Sequence, residues 1–158
     1  MIPITNFDFL VGKWSVLNKR LKERMKGATE WVEFTAEMET KKIFNGLIVM
    51  DEMKTNHFGE NFNGLSIRML NPDTNEWKIY WADTYHLDQM LQEQVVGKFE
   101  NGTGEFFGKD IFEGKEVPLR FSWKKETENT AQWEQAYYDV QKKEWETNWI
   151  MVFTAIES

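Results

Sequence analysis

What most constrains this chain is its rhythm. Runs of alternating apolar and polar residues recur between clusters of turn-forming residues, and helical periodicity is nearly absent. Between residues 30 and 44 the pattern is clearest: Val32, Phe34, Ala36 and Met38 fall on one side, Glu33, Thr35, Glu37 and Glu39 on the other. A strand with one buried face imposes this period of 2. Similar runs cover residues 12–25, 47–55, 62–70, 77–83, 92–99, 104–112, 117–124, 131–138 and 145–153. Asn45-Gly46 and Asn101-Gly102 are hairpin signals, because both residues tolerate the left-handed backbone that a tight turn needs. Lys26-Gly27-Ala28, Asn71-Pro72-Asp73-Thr74-Asn75 and Glu113-Gly114-Lys115 supply further turn chemistry. One segment departs from this pattern. In residues 84–91, Leu87, Met90 and Leu91 stand at i, i+3 and i+4, which predicts a single helical turn at one rim.

Roughly ten strands joined by short links predict an all-β, up-and-down antiparallel sheet. Such a sheet must hide two edges, and closing it into a barrel removes both. A sandwich would need longer crossing connections than most links here allow. About eight strands leave room for side chains or one small ligand, so about ten should leave more. The chain of 158 residues is expected to form one domain, residues 1–158. Its 15% aromatic content, with eight Trp and twelve Phe, suits either a packed core or broad cavity walls.

Net charge excludes some partners. At −7, with lysines dispersed apart from a short run at residues 19–26, the chain offers no phosphate-binding face, so nucleic acid is not an expected partner. There is no cysteine, hence no disulfide framework and no thiolate site. No signal-peptide pattern and no spanning apolar run is visible, and a cytoplasmic location without membrane association is the expectation.

Two patches carry a family resemblance. Phe7-Asp8-Phe9-Leu10-Val11 reads as a short helical plug, followed by Gly12-Lys13-Trp14 entering the first strand. Trp133-Glu134-Gln135-Ala136-Tyr137 and Trp145-Glu146-Thr147-Asn148-Trp149 read as a closing hairpin. Together they resemble the calycins, the lipocalin and fatty-acid-binding barrels, and in particular a group of uncharacterised bacterial calycin-like proteins. The resemblance implies a barrel with an N-terminal helical plug. It implies no catalytic residue, because that group has no settled activity. The helix-turn-helix lid of the fatty-acid-binding proteins has no room between the first two strands. The ten-stranded haem-binding nitrobindins are a neighbouring comparison, but they hold haem through a late-strand histidine. Here the histidines are His57, after the third strand, and His86, on the rim turn. No cofactor is therefore expected, and His86 is left as the candidate for any unrelated ligation.

Taking Trp14 as inward, alternation places Val16, Asn18 and Arg20 on the same face. An inward Arg20 needs a partner, because an unpaired buried charge is costly; a ligand carboxylate, an internal acid or solvent at an open end would each serve. Met38, Ile67, Trp81, Trp123, Trp133, Gln135 and Trp149 complete the candidate pocket, apolar walls with a few polar groups. Gln135 and Asn148 could satisfy one another across adjacent strands, with either Asn148 or Trp149 facing outward. The best acid–base constellation is Asp83, Tyr85 and His86, with Glu134 or Asp51 as a second acid. With two histidines and no cysteine, the chain is poorly supplied for a tight metal site.

The leading expectation is a barrel that binds a small, largely apolar or amphipathic ligand. A different class of reading is a lyase or isomerase with acid–base residues at the rim. A third is a non-catalytic interaction module with a filled barrel, dimerising through Ile150 and Val152 on the last strand.

Overall fold

Each alternating segment forms a strand in the structure, a computed structural model that describes residues 6–156. In chain order these are β1 (Gly12–Leu21), β2 (Trp31–Ile43), β3 (Ile48–Thr55), β4 (Phe62–Asn71), β5 (Glu76–Asp83), β6 (Gln92–Glu100), β7 (Thr103–Phe112), β8 (Lys115–Lys125), β9 (Thr130–Asp139) and β10 (Glu144–Ala155). Every strand pairs antiparallel with its sequence neighbour, and β1 pairs with β10 to close the sheet into a barrel. Closure leaves no strand at the end of an open sheet.

The up-and-down path sorts the connections into two rims. Residues 22–30, 56–61, 84–91, 113–114 and 140–143 lie at one rim; the hairpin turns at 44–47, 72–75, 101–102 and 126–129 lie at the other. At the second rim Asn101 and Gly102 take φ of 53° and 82°, between the paired residues Glu100 and Thr103. That is the two-residue hairpin which an Asn-Gly pair favours.

Four expectations need correction. The N-terminal helical plug is absent; a single 3-10 turn, Asp8–Leu10, stands in its place. Its anchors are side chains rather than helix length. Phe7 and Leu10 are fully buried, and the Phe7 ring meets those of Trp77 and Phe99 edge-on, each at 4.9 Å. Trp14 then donates its indole N–H to the Leu10 carbonyl oxygen at 2.8 Å, tying the turn to β1.

Residues 84–91 form turns and no helix. Leu87 and Met90 are exposed, so their helical spacing has no apolar surface to bury against and no packing to stabilise a helix. The first strand also ends at Leu21 rather than near Met25. Met25 takes φ of 60°, which breaks the strand, and its backbone N–H is bound by the Glu146 carboxylate at 2.7 Å.

β4 holds the most consequential reversal. Its apolar residues Leu65, Ile67 and Met69 face outward, while Ser66 and the buried Arg68 face the interior. Outside, Ile67 stands between Met50 of β3 and Tyr80 of β5. The interior between the walls is packed mainly by Trp14, Val16, Met38, Val49, Ile79, Phe121, Trp123, Trp133, Met151 and Phe153.

Candidate functional site

Inward residues of the strands do not fill the barrel. They enclose a cavity of about 470 Å³. Its wall includes Met38, Met53, Ile79, Phe121, Trp123, Trp133, Met151 and Phe153, and it reaches the rim where the exposed Tyr85 and His86 lie. Of the pocket residues expected from sequence, Arg20, Met38, Trp81, Trp123, Trp133, Gln135 and Trp149 line this cavity. Ile67 does not. It faces outward, and its neighbours Ser66 and Arg68 line the cavity instead.

Two β-bulges explain polar groups in the wall that strict alternation would point outward. On β6, Gln94 is the extra residue between the pairs Ile79–Val95 and Tyr80–Glu93, and it lines the cavity. On β10, Asn148 is the extra residue between Thr147 and Trp149. A bulge sets two residues against one, which re-aims a side chain. Asn148 is therefore buried even though its neighbour Trp149 is turned to the cavity, and neither points to solvent. Gln135 donates to the Asn148 side-chain oxygen at 2.8 Å, and the Trp149 indole N–H donates to Asn18 at 3.0 Å.

The mouth gathers two guanidinium groups. Arg20 of β1 lies over Trp149, 4.4 Å from its ring centroid, and 5.2 Å from that of Phe58. Among the described residues the Arg20 side chain makes no ion pair or hydrogen bond. Burial, and then the neighbouring Arg24, lower its pKa from the ordinary arginine value, against an opposing pull from Tyr137. Arg24 donates to the Tyr137 hydroxyl at 2.8 Å, and that hydroxyl donates to the Asp110 carboxylate at 2.6 Å. Burial, with Asp110 acting in the same direction, pushes the Tyr137 phenol well above its ordinary value, so it stays protonated.

The rim acid–base residues come together. His86 Nδ1 is 2.8 Å from Asp83, which also accepts from the Trp81 indole N–H at 3.1 Å and the Tyr85 backbone N–H at 3.0 Å. Partial burial pushes Asp83 up, but the hydrogen bonds from His86, Trp81 and the Tyr85 backbone outweigh it and hold the carboxyl below its usual range. Tyr85 itself donates to the Glu60 carbonyl, so its hydroxyl is engaged with the opposite loop. Of the two second acids, Asp51 lies inside and lines the cavity. Glu134 lies on the outer face and accepts from Gln132.

The deep end sets Asp51 beside Arg68, a residue that sequence reasoning passed over. Arg68 and Asp51, each only 3% exposed, form an ion pair at 2.6 Å. The guanidinium lies 5.1 Å from the Phe7 ring centroid and 5.2 Å from that of Trp123. Burial raises the Asp51 carboxyl above its ordinary range, against the pull of Arg68 and of the Ser66 backbone N–H. One signal was available: opposite charges in the middles of consecutive strands, where an exposed pair and a buried pair look alike. Among the described residues no cluster of three or more acidic or histidine side chains could hold a metal ion. No helix among them is long and apolar enough to cross a membrane.

Neither a protein-family model nor a curated protein sequence matches the chain. Solved structures do. A protein of unknown function from the DUF3598 family of Nostoc punctiforme PCC 73102 matches with a TM-score of 0.57 at 11% identity, over 98% of this chain. The match spans about half of the Nostoc protein, 51% of its length. Rv2717c from M. tuberculosis matches with a TM-score of 0.58 at 9% identity, over 96% of this chain and 95% of that one. At such identities the likeness is one of fold.

Proposed function

We propose that this protein is a calycin-like binding barrel whose cavity takes one small, largely apolar molecule, with an anionic head held at the mouth by Arg20. The observation that carries this reading is the pairing of a 470 Å³ aromatic-walled cavity with a mouth guanidinium that has no protein carboxylate of its own. Apolar walls supply affinity, and a few placed polar groups orient the ligand. Stacking on Trp149 and Phe58 fixes the Arg20 fork, so little freedom is lost when an anion docks. Arg24 beside it adds positive potential in a chain that is otherwise acidic.

The test is a tryptophan-fluorescence titration with decanoate and with decanol. Arg20→Gln should weaken decanoate by about 10-fold to 100-fold, the size of a lost charge-assisted hydrogen bond, and leave decanol unchanged. Equal losses for both probes, or none, would contradict the assignment of the head group.

A second reading rests on the rim dyad. Asp83 holds His86 through Nδ1, which leaves Nε2 free to accept a proton from a substrate at the cavity mouth. This arrangement supports proton transfer of the lyase or isomerase kind. His86→Ala should then abolish a pH-dependent turnover while decanoate binding persists, whereas turnover that survives the substitution would remove His86 from the chemistry.

A further inference from the structure

Arg68 is a buried cation with unspent hydrogen-bonding capacity. One of its terminal nitrogens, Nη2, faces Asp51, but among the described residues its Nε and Nη1 have no partner at all. The side chain is only 3% exposed, so bulk water does not reach it freely, and it lines the cavity on the side nearest Phe7 and Trp123. A buried donor left without an acceptor is costly, and more so when it carries charge. Thr40, which stands opposite Asp51 in the β2–β3 register, has a buried hydroxyl that is likewise without a partner.

We infer that the inner end of the cavity is a second polar subsite, in which Arg68 donates from one of its free nitrogens, Nε or Nη1, to a neutral acceptor, the carbonyl oxygen of a ketone, amide or ester, at the far end of the ligand. This rests on the binding reading above and deepens it: the ligand is polar at both ends and apolar between. The charge balance selects the neutral acceptor. Asp51 already neutralises Arg68 at 2.6 Å, so a carboxylate placed there would add a second, uncompensated negative charge in a buried site. A neutral carbonyl adds none and still accepts from a free N–H group of Arg68. The anion belongs at the other end of the cavity, with Arg20 and Arg24, where no protein carboxylate faces Arg20. The two ends are thus charge-coded, and the code fixes the direction in which a ligand lies.

Calorimetric titration of wild-type protein with three acids of equal chain length reads this directly: decanoate, 9-oxodecanoate and 5-oxodecanoate. The 9-oxo acid should bind about tenfold or more tightly than decanoate, because its carbonyl lies at the end of the chain away from the carboxylate. The 5-oxo acid should bind more weakly than decanoate, because its carbonyl is desolvated against apolar walls with no donor. In the double variant Asp51→Asn/Arg68→Met, which leaves no orphan charge, the 9-oxo advantage should disappear while decanoate still binds. Equal affinity of the three acids for the wild type would overturn the subsite, as would a 9-oxo advantage that survives in the double variant. Proton uptake on decanoate binding would overturn the orientation, since a carboxylate seated at Arg68 requires Asp51 to be protonated. If none of the three acids binds, the cavity reading itself fails and the subsite fails with it. Decanoate binding without discrimination removes the subsite alone.

Discussion

The Tyr137 hydroxyl links three separate parts of the chain, accepting from Arg24 in the β1–β2 loop and donating to Asp110 at the end of β7. Both partners line the mouth, so the phenol holds the loop arginine beside Arg20. Tyr137→Phe should lower stability by about 1.5–3 kcal/mol at neutral pH, the usual worth of a hydrogen bond to a charged partner. The sign of its pH dependence follows from the raised phenol pKa. A group that binds its proton more tightly when folded stabilises the fold below its unfolded pKa, here about 10, and loses that contribution as pH rises further. The stability gap between wild type and Tyr137→Phe should therefore narrow as the pH rises from about 10 to about 12 in urea denaturation. A gap that stays constant across that interval would place the hydroxyl outside the hydrogen-bond chain.

At the scale of elements, the 3-10 turn Asp8–Leu10 does by side-chain packing what a longer helix would do by length. Phe7 carries most of that packing, against Trp77, Phe99, Phe106 and Trp123. Phe7→Ala should cost about 3–5 kcal/mol of unfolding free energy, the range for emptying a buried aromatic site. A loss below about 1 kcal/mol of unfolding free energy would mean that the turn is not integral to the core. Strand existence was legible in the sequence because alternation between Gly, Asn and Pro turn signals needs no tertiary knowledge. Which face points inward was legible only where apolar residues coincide with the interior, as in Val16, Met38 and Phe121. β4 defeats that inference: Leu65, Ile67 and Met69 lie outside while Ser66 and Arg68 lie inside. An inward charge is tolerated here because Asp51 pairs with Arg68, and periodicity records the spacing without the sign. The bulges at Gln94 and Asn148 were invisible for a related reason, since one extra residue shifts the phase without changing the composition. Residues 84–91 show the converse error, in which three apolar residues at helical spacing stand on an exposed loop.

For the molecule as a whole, ten strands in a closed circuit produce a chamber open toward one set of loops, with cations at both of its ends. Arg20 and Arg24 stand at the mouth, and Arg68 stands with Asp51 at the depth of Phe7. The same barrel shape occurs in the Nostoc and M. tuberculosis proteins at about a tenth sequence identity (11% and 9%), so the wall is maintained by many different residues. The central claim is that the interior is hollow and takes one amphipathic molecule, and native mass spectrometry tests it most directly. Purified protein should carry either a co-purified mass that is lost on denaturation or, when decanoate is added, one decanoate per chain. A bare polypeptide mass in both samples, at decanoate concentrations that saturate other hydrophobic carriers, would contradict the account.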